Sequence, residues 1–153
     1  MHVPTLYLDS SVLGGYFDEQ FQEATRQLWS QMKQGRFRFM ASILVADEME
    51  KAPAHVRQLF EETFQRADSI VSYDREMDDL ARLYLDRGVV PRQYVEDAGH
   101  VAVCAIARFD YLVSWNFKHL VNVRREAGFN AVNLLQGYPS VRIVSPMELI
   151  YGP

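Results

Sequence analysis

Cysteine is almost absent from these 153 residues. Cys104 stands alone in an apolar stretch, so no internal disulfide and no cysteine-based zinc site can form, and a reducing, cytoplasmic setting is expected. Long apolar runs are missing too: none approaches the roughly 20 residues that span a bilayer. Met1-His2-Val3-Pro4 lacks the basic region and apolar core of a leader, so a soluble, unexported protein with no membrane partner is expected. Positive charge is in short supply. Sixteen Lys and Arg stand against twenty Asp and Glu, for a formal net charge of -4, which excludes a broad polycationic face and leaves any nucleic-acid contact to a local patch. Six prolines and eight glycines nowhere gather into a linker, and there is no repeat, so residues 1–153 read as one domain. Neither a P-loop nor a G-x-G-x-x-G is present, and Gly14-Gly15 is expected only to loosen a helix.

What the chain does have is alternation between strand-like and helix-like segments. A strand at Thr5 to Leu8 leads into a short helix over Val12 to Phe17, with Ser10 or Ser11 as its N-cap. A helix follows from Phe21 to Gln34, ended by Gly35. Next come a strand at Arg36 to Met40 and a helix containing Asp47, Glu48 and Glu50 that Pro53 stops. Further helices are expected over Val56 to Ala67, Asp74 to Asp86 with Asp74 as cap, and Tyr94 or Glu96 to Phe109. Brief strands are expected at Ser69 to Ser72, Tyr111 to Ser114 and Val141 to Val144, with a final turn at Ser145 to Leu149. Alternation of this kind implies α/β architecture, a mostly parallel central sheet with helices on both faces in a three-layer α/β/α sandwich.

Acidic residues recur at equivalent places in that pattern. Asp9 follows the first strand, the Asp47/Glu48/Glu50 group follows the second, and Asp97 opens a helix. Ligands of open α/β sheets bind beyond the carboxyl ends of the strands, where these residues would converge. Carboxylates packed together must share protons or recruit a hard divalent cation, and an oxygen-only set suits Mg²⁺ or Mn²⁺ far better than zinc. Asn116, just past the strand at Tyr111 to Ser114, could add a carbonyl oxygen but no charge.

Four segments carry a resemblance. Tyr7-Leu8-Asp9-Ser10-Ser11-Val12-Leu13, Ser42 to Met49, Asp97 to Ala105 and Asp110 to Leu120 resemble, in order and spacing, the successive motifs of PIN-domain proteins, across nearly the whole chain. Within that family the chain is most similar to the VapC-type toxins of toxin-antitoxin pairs. The resemblance implies a PIN-like fold and a Mg²⁺- or Mn²⁺-dependent endoribonuclease, silenced by a small antitoxin protein and forming a homodimer. By position, Asp9, Glu48 and Asp97 match the acidic metal ligands, and Ser10 matches the hydroxyl residue beside the first. Asn116 stands where many members carry a further Asp. In the mechanism this implies, Asp9 and Asp97 hold the ion, Glu48 binds it or positions the attacking water, and Asn116 completes the shell through its carbonyl.

Each of these residues also has a plainer reading. Asp9 could cap a helix, Asp97 could be a first-turn acid favoured by the helix dipole, and the Asp47/Glu48/Glu50 group could be a solvated face. His100, one turn beyond Asp97, reads as a packed structural histidine and is not assigned to the catalytic set. Lys118, His119, Arg124, Arg125 and Arg92 could receive RNA phosphates or line a solvated helix. Tyr16, Phe17, Phe60, Phe64 and Trp115 read as core or interface rather than base-stacking platforms. Two other functions compete with the nuclease. One is a PIN-fold RNA- or protein-binding module weakened by Asn116; the other is a phosphatase with Asp9 as nucleophile, disfavoured because Ser11 stands where a second acid is needed. Apolar positions near Leu80, Leu83 and Tyr84 are candidates for the dimer contact.

Overall fold

The computed structural model describes residues 2–151; Met1, Gly152 and Pro153, which the expected domain of 1–153 includes, lie outside the described residues. Among the described residues five strands, β1 (Thr5–Leu8), β2 (Arg38–Ser42), β3 (Ile70–Val71), β4 (Tyr111–Val113) and β5 (Ile143–Val144), form one sheet in the order β3-β2-β1-β4-β5. Every pairing is parallel. The first strand is therefore the central one. Leu6, Tyr7 and Leu8 are all fully buried, the unbroken apolar pattern of a strand covered on both faces.

Among the described residues eight α-helices cover the sheet: α1 (Ser10–Gly15), α2 (Gln22–Lys33), α3 (Ile43–Met49), α4 (Ala54–Thr63), α5 (Arg75–Asp86), α6 (Val95–Ala107), α7 (Val123–Leu135) and α8 (Pro146–Ile150). Helix α6 packs chiefly on α5, and α2 chiefly on α8. This is an α/β fold of the PIN-like kind that the motifs imply. Helix α6 is buried without a break from Ala98 to Ala105. Gly99 makes that depth possible, because a Cβ there would stand 3.0 Å from the Leu44 side chain of α3.

Several boundaries differ from the sequence reading. Strand β2 begins at Arg38, where it pairs with Thr5, and runs on to Ser42, which then caps α3 by accepting from the Leu44 N–H. Asp9, not Ser10 or Ser11, is the N-cap of α1. Gly15 does more than loosen α1: a Cβ on it would sit 2.6 Å from the Trp115 indole, so its bareness is what lets Trp115 lie there and donate to Thr25 at 2.9 Å. Arg108 ends α6 in the left-handed conformation, at φ 61°. Leu80 and Tyr84 are buried within the protein, against the other helices, and belong to its core, while Leu83 is half-buried. No helix among the described residues is long and apolar enough to cross a membrane.

Candidate active site

The order β3-β2-β1-β4-β5 reverses direction at β1, and the crevice beside such a reversal, past the strand ends, is where open α/β sheets bind ligands. Asp9 leaves β1 at that point and is only 4% exposed. Its Oδ1 accepts from the Ser11 hydroxyl at 2.6 Å and from the Val12 N–H at 3.3 Å. Ser11 in turn accepts from the Trp115 N–H at 2.9 Å and lies 3.2 Å from the Ser114 hydroxyl, tying the end of β1 to the end of β4. Burial pushes the Asp9 carboxyl above its ordinary range, against the pull of His100, Ser11, Ser114 and the Val12 N–H.

Asp97 stands in the first turn of α6, half-buried. Burial raises it to about 6, and the charges of Asp9, Glu48 and Glu96 push the same way, with His100 opposing. Of the three acids on or beside α3, Asp47 and Glu50 are exposed, while Glu48 is half-buried and turned to the site. Its Oε1 accepts from the Ser10 hydroxyl, and its two oxygens lie 3.2 and 3.3 Å from His100 Nε2. Burial works to raise Glu48, but His100, Ser10 and Glu96 outweigh it and leave the carboxyl below its usual range. The exposed Glu96 carboxyl is raised, first by its hydrogen bond to Glu48. His100 is 3% exposed. Burial lowers its pKa, yet the hydrogen bond and charge of Glu48, with Asp9 and Asp97 behind, raise it overall.

Asn116 corrects the sequence reading. Its Oδ1 accepts from the His119 N–H of the local turn at 3.0 Å, and it is the amide Nδ2, not the carbonyl, that faces Asp97 Oδ2, at 3.4 Å. The backbone donor fixes which end is oxygen. His119 is corrected as well: its ring is 4% exposed and packed on Tyr94 with centroids 3.8 Å apart, which removes it from any RNA-facing surface. Arg92 is engaged with Asp86 at 2.8 Å, both side chains exposed, and Lys118 is exposed. Trp115 and Phe60 are buried, as the plainer reading of the aromatics has it.

The structure thus brings Asp9, Glu48, Asp97, Asn116 and Ser10 to one edge of the sheet, and adds three residues the sequence reading did not assign: His100, Ser11 and Ser114. For His100 the signal was available, since it lies three residues after Asp97 on the same helix face. For the serines it was not, because their role depends on β1 pairing with β4.

Among the described residues no three His, Cys, Asp or Glu side chains are gathered closely enough to form a ready cage for a metal ion. Each acid is turned partly toward a protein donor instead: Asp9 to Ser11, Glu48 to Ser10 and His100, Asp97 to Asn116. The donor chemistry nonetheless fits a hard divalent cation, because Asp9 and Asp97 are oxygen donors that burial holds above their ordinary pKa, with the charges of Asp9, Glu48 and Glu96 adding to the effect on Asp97, and a cation favours the ionised form of both.

No family model matches the sequence, and no curated protein matches it. Solved structures do. The chain is similar to FitAcB from Neisseria gonorrhoeae, with a TM-score of 0.57 and 10% identity over 94% of this chain and 99% of that one. It is similar to FitAB bound to an IR36 DNA fragment (TM-score 0.57, 12% identity, 92% and 94% covered). A third is VapBC2 from Rickettsia felis bound to a DNA fragment from their promoter (TM-score 0.57, 11% identity, 92% and 98% covered). At such identities the likeness is one of fold, and it extends over nearly the full length of both chains.

Proposed function

We propose that this protein is a divalent-metal-dependent endoribonuclease acting in the cytoplasm, the toxin of a toxin-antitoxin pair whose small antitoxin protein covers the acidic edge. The observation that carries this reading is the meeting of Asp9 and Asp97, from elements 88 residues apart, as two buried-side carboxylates with raised pKa where the sheet order reverses. Full-length likeness to chains from FitAB and VapBC2 assemblies supports the toxin part of it.

Asp9 and Asp97 would hold Mg²⁺ or Mn²⁺, with Glu48 beside them. When bound, such an ion polarises a phosphodiester and lowers the pKa of water. The residues supply the rest. Glu48, held below its ordinary pKa, stays an anion able to bind the ion or to position the attacking water. Ser10 keeps that carboxylate from swinging away. Asn116 gives Asp97 a neutral N–H in place of a further negative charge, which lets the acid stay close to its neighbours before any cation arrives. Lys118, exposed just past Asn116, is placed to meet an RNA phosphate.

The test is to incubate partner-free protein with a mixed RNA pool and Mn²⁺, Mg²⁺ or EDTA, beside Asp9→Asn and Asp97→Asn. Metal-dependent cleavage by the wild type alone is expected. A folded, metal-binding protein that cleaves no RNA would instead favour the binding-module reading, in which Asn116 has cost the site its turnover.

A further inference from the structure

Three buried side chains behind Glu48 have no role in the reading above. Tyr7, in the middle of the central strand, places its hydroxyl 2.6 Å from Ser42 Oγ and 2.7 Å from His100 Nδ1. Tyr7 and Ser42 are fully buried and His100 nearly so. Donors and acceptors can be counted around them. Ser42 Oγ accepts from the Leu44 N–H at 3.2 Å as the cap of α3, so its own proton is free to go to the Tyr7 oxygen. The Tyr7 proton then goes to His100 Nδ1, which leaves the ring hydrogen on Nε2, aimed at the two Glu48 oxygens. The imidazolium also carries a hydrogen on Nε2. The one form excluded is the neutral ring protonated at Nδ1, which would set a lone pair against a carboxylate.

Both ring nitrogens of His100 are engaged, Nδ1 by Tyr7 of the central strand and Nε2 by Glu48 at the acidic edge. We propose that His100 is a positioning residue: its Nε2–H holds Glu48 in the orientation the reaction needs, with Tyr7 and Ser42 fixing the ring from behind. This rests on the nuclease reading for its purpose, though not for its geometry. Glu48 is gripped from two sides, by His100 of α6 and Ser10 of α1, and the relay begins at the residue that caps Glu48's own helix. Neighbouring acids Asp9, Asp97 and the exposed Glu96 surround the pair and would repel an unanchored Glu48 or draw a migrating proton elsewhere.

The experiment has one arm without metal or RNA. A ¹⁵N–¹H imidazole spectrum of the whole protein, with His100 assigned by its loss in His100→Gln, should show hydrogen on Nε2 and a slowly exchanging Hε2 resonance that vanishes in Glu48→Ala. Hydrogen on Nδ1 alone, or an Hε2 signal indifferent to Glu48→Ala, overturns the proposal. In the second arm, His100→Leu should lower kcat by roughly 10- to 100-fold with KM little changed, the usual loss when a partner that orients a working carboxylate is removed. His100→Gln, which keeps an N–H donor, should recover part of it, with thermal melts showing that both fold. Wild-type kcat in His100→Leu, or no advantage of Gln over Leu, also overturns it. A wild type that cleaves nothing would defeat the nuclease reading, and the imidazole spectrum would still decide whether His100 holds Glu48.

Discussion

Asn116 donates its amide hydrogen to Asp97 and accepts the His119 backbone N–H at its amide oxygen, so a single neutral side chain both quiets an acid and shapes the turn that follows β4. An aspartate in its place would keep the second contact and invert the first.

Asn116→Asp is therefore expected to raise Mn²⁺ affinity and to lower the stability of the metal-free protein. Two unit charges about 4 Å apart interact by roughly 4 kcal/mol at the effective dielectric of a protein surface. After the cost of gathering the anions, roughly a tenfold gain in affinity is expected, about 1.4 kcal/mol. Calorimetric titration with Mn²⁺ checks it; an unchanged affinity would show that position 116 does not see the ion.

Asp97 makes stability depend on pH in a definite direction. Its pKa is raised to about 6 in the folded protein, against roughly 3.9 in an unfolded chain, so what it contributes is present in acid and is lost as pH rises through 6. Without metal, Asp97→Asn should melt a few degrees above the wild type at pH 7.5, for roughly 1–2 kcal/mol after allowance for solvent screening at this half-buried site. At pH 4 the difference should vanish. Saturating Mn²⁺ should reverse the order at pH 7.5, because only the wild type gains from binding. Melting curves under the three conditions check all of it, and a wild type that is the more stable at pH 7.5 without metal would contradict the raised pKa.

Adjacent glycines in α1 should respond oppositely to alanine. Gly14 has nothing within 4 Å of a built Cβ, so Gly14→Ala should be neutral or stabilise by up to about 1 kcal/mol through backbone entropy. Gly15→Ala drives a methyl into the Trp115 ring at 2.6 Å and should cost about 1–3 kcal/mol, with Trp115 fluorescence changed. Urea denaturation of the two variants gives the comparison. Equal stabilities would mean the indole can move aside freely.

Much of this was legible in the chain itself. The run Thr5-Leu6-Tyr7-Leu8 is apolar at every position because the strand is covered on both faces, and Asp74 caps α5 as its side-chain chemistry dictates. Helix α7 has no such apolar mark in the sequence. Its inward side chains are few, chiefly Phe129 and Val132 with the polar Asn133, while Val123, Leu134 and Leu135 point outward, so its apolar pattern does not mark one face. In the site, the acids could be found because charge at strand ends is visible in one dimension. The turned amide of Asn116 and the buried ring of His119 could not, since each depends on which neighbour a loop brings within reach.

The pairing of β1 with β4 joins Leu6 to Tyr111 and Leu8 to Val113, more than a hundred residues apart. Asp9 is therefore made well before Ser114, Trp115 and Asn116, which shape the crevice around it. Contacts of such long range close late in folding. The acidic edge thus has no existence until the segment carrying β4 has been made, and whatever chemistry it performs waits for that strand to join the sheet.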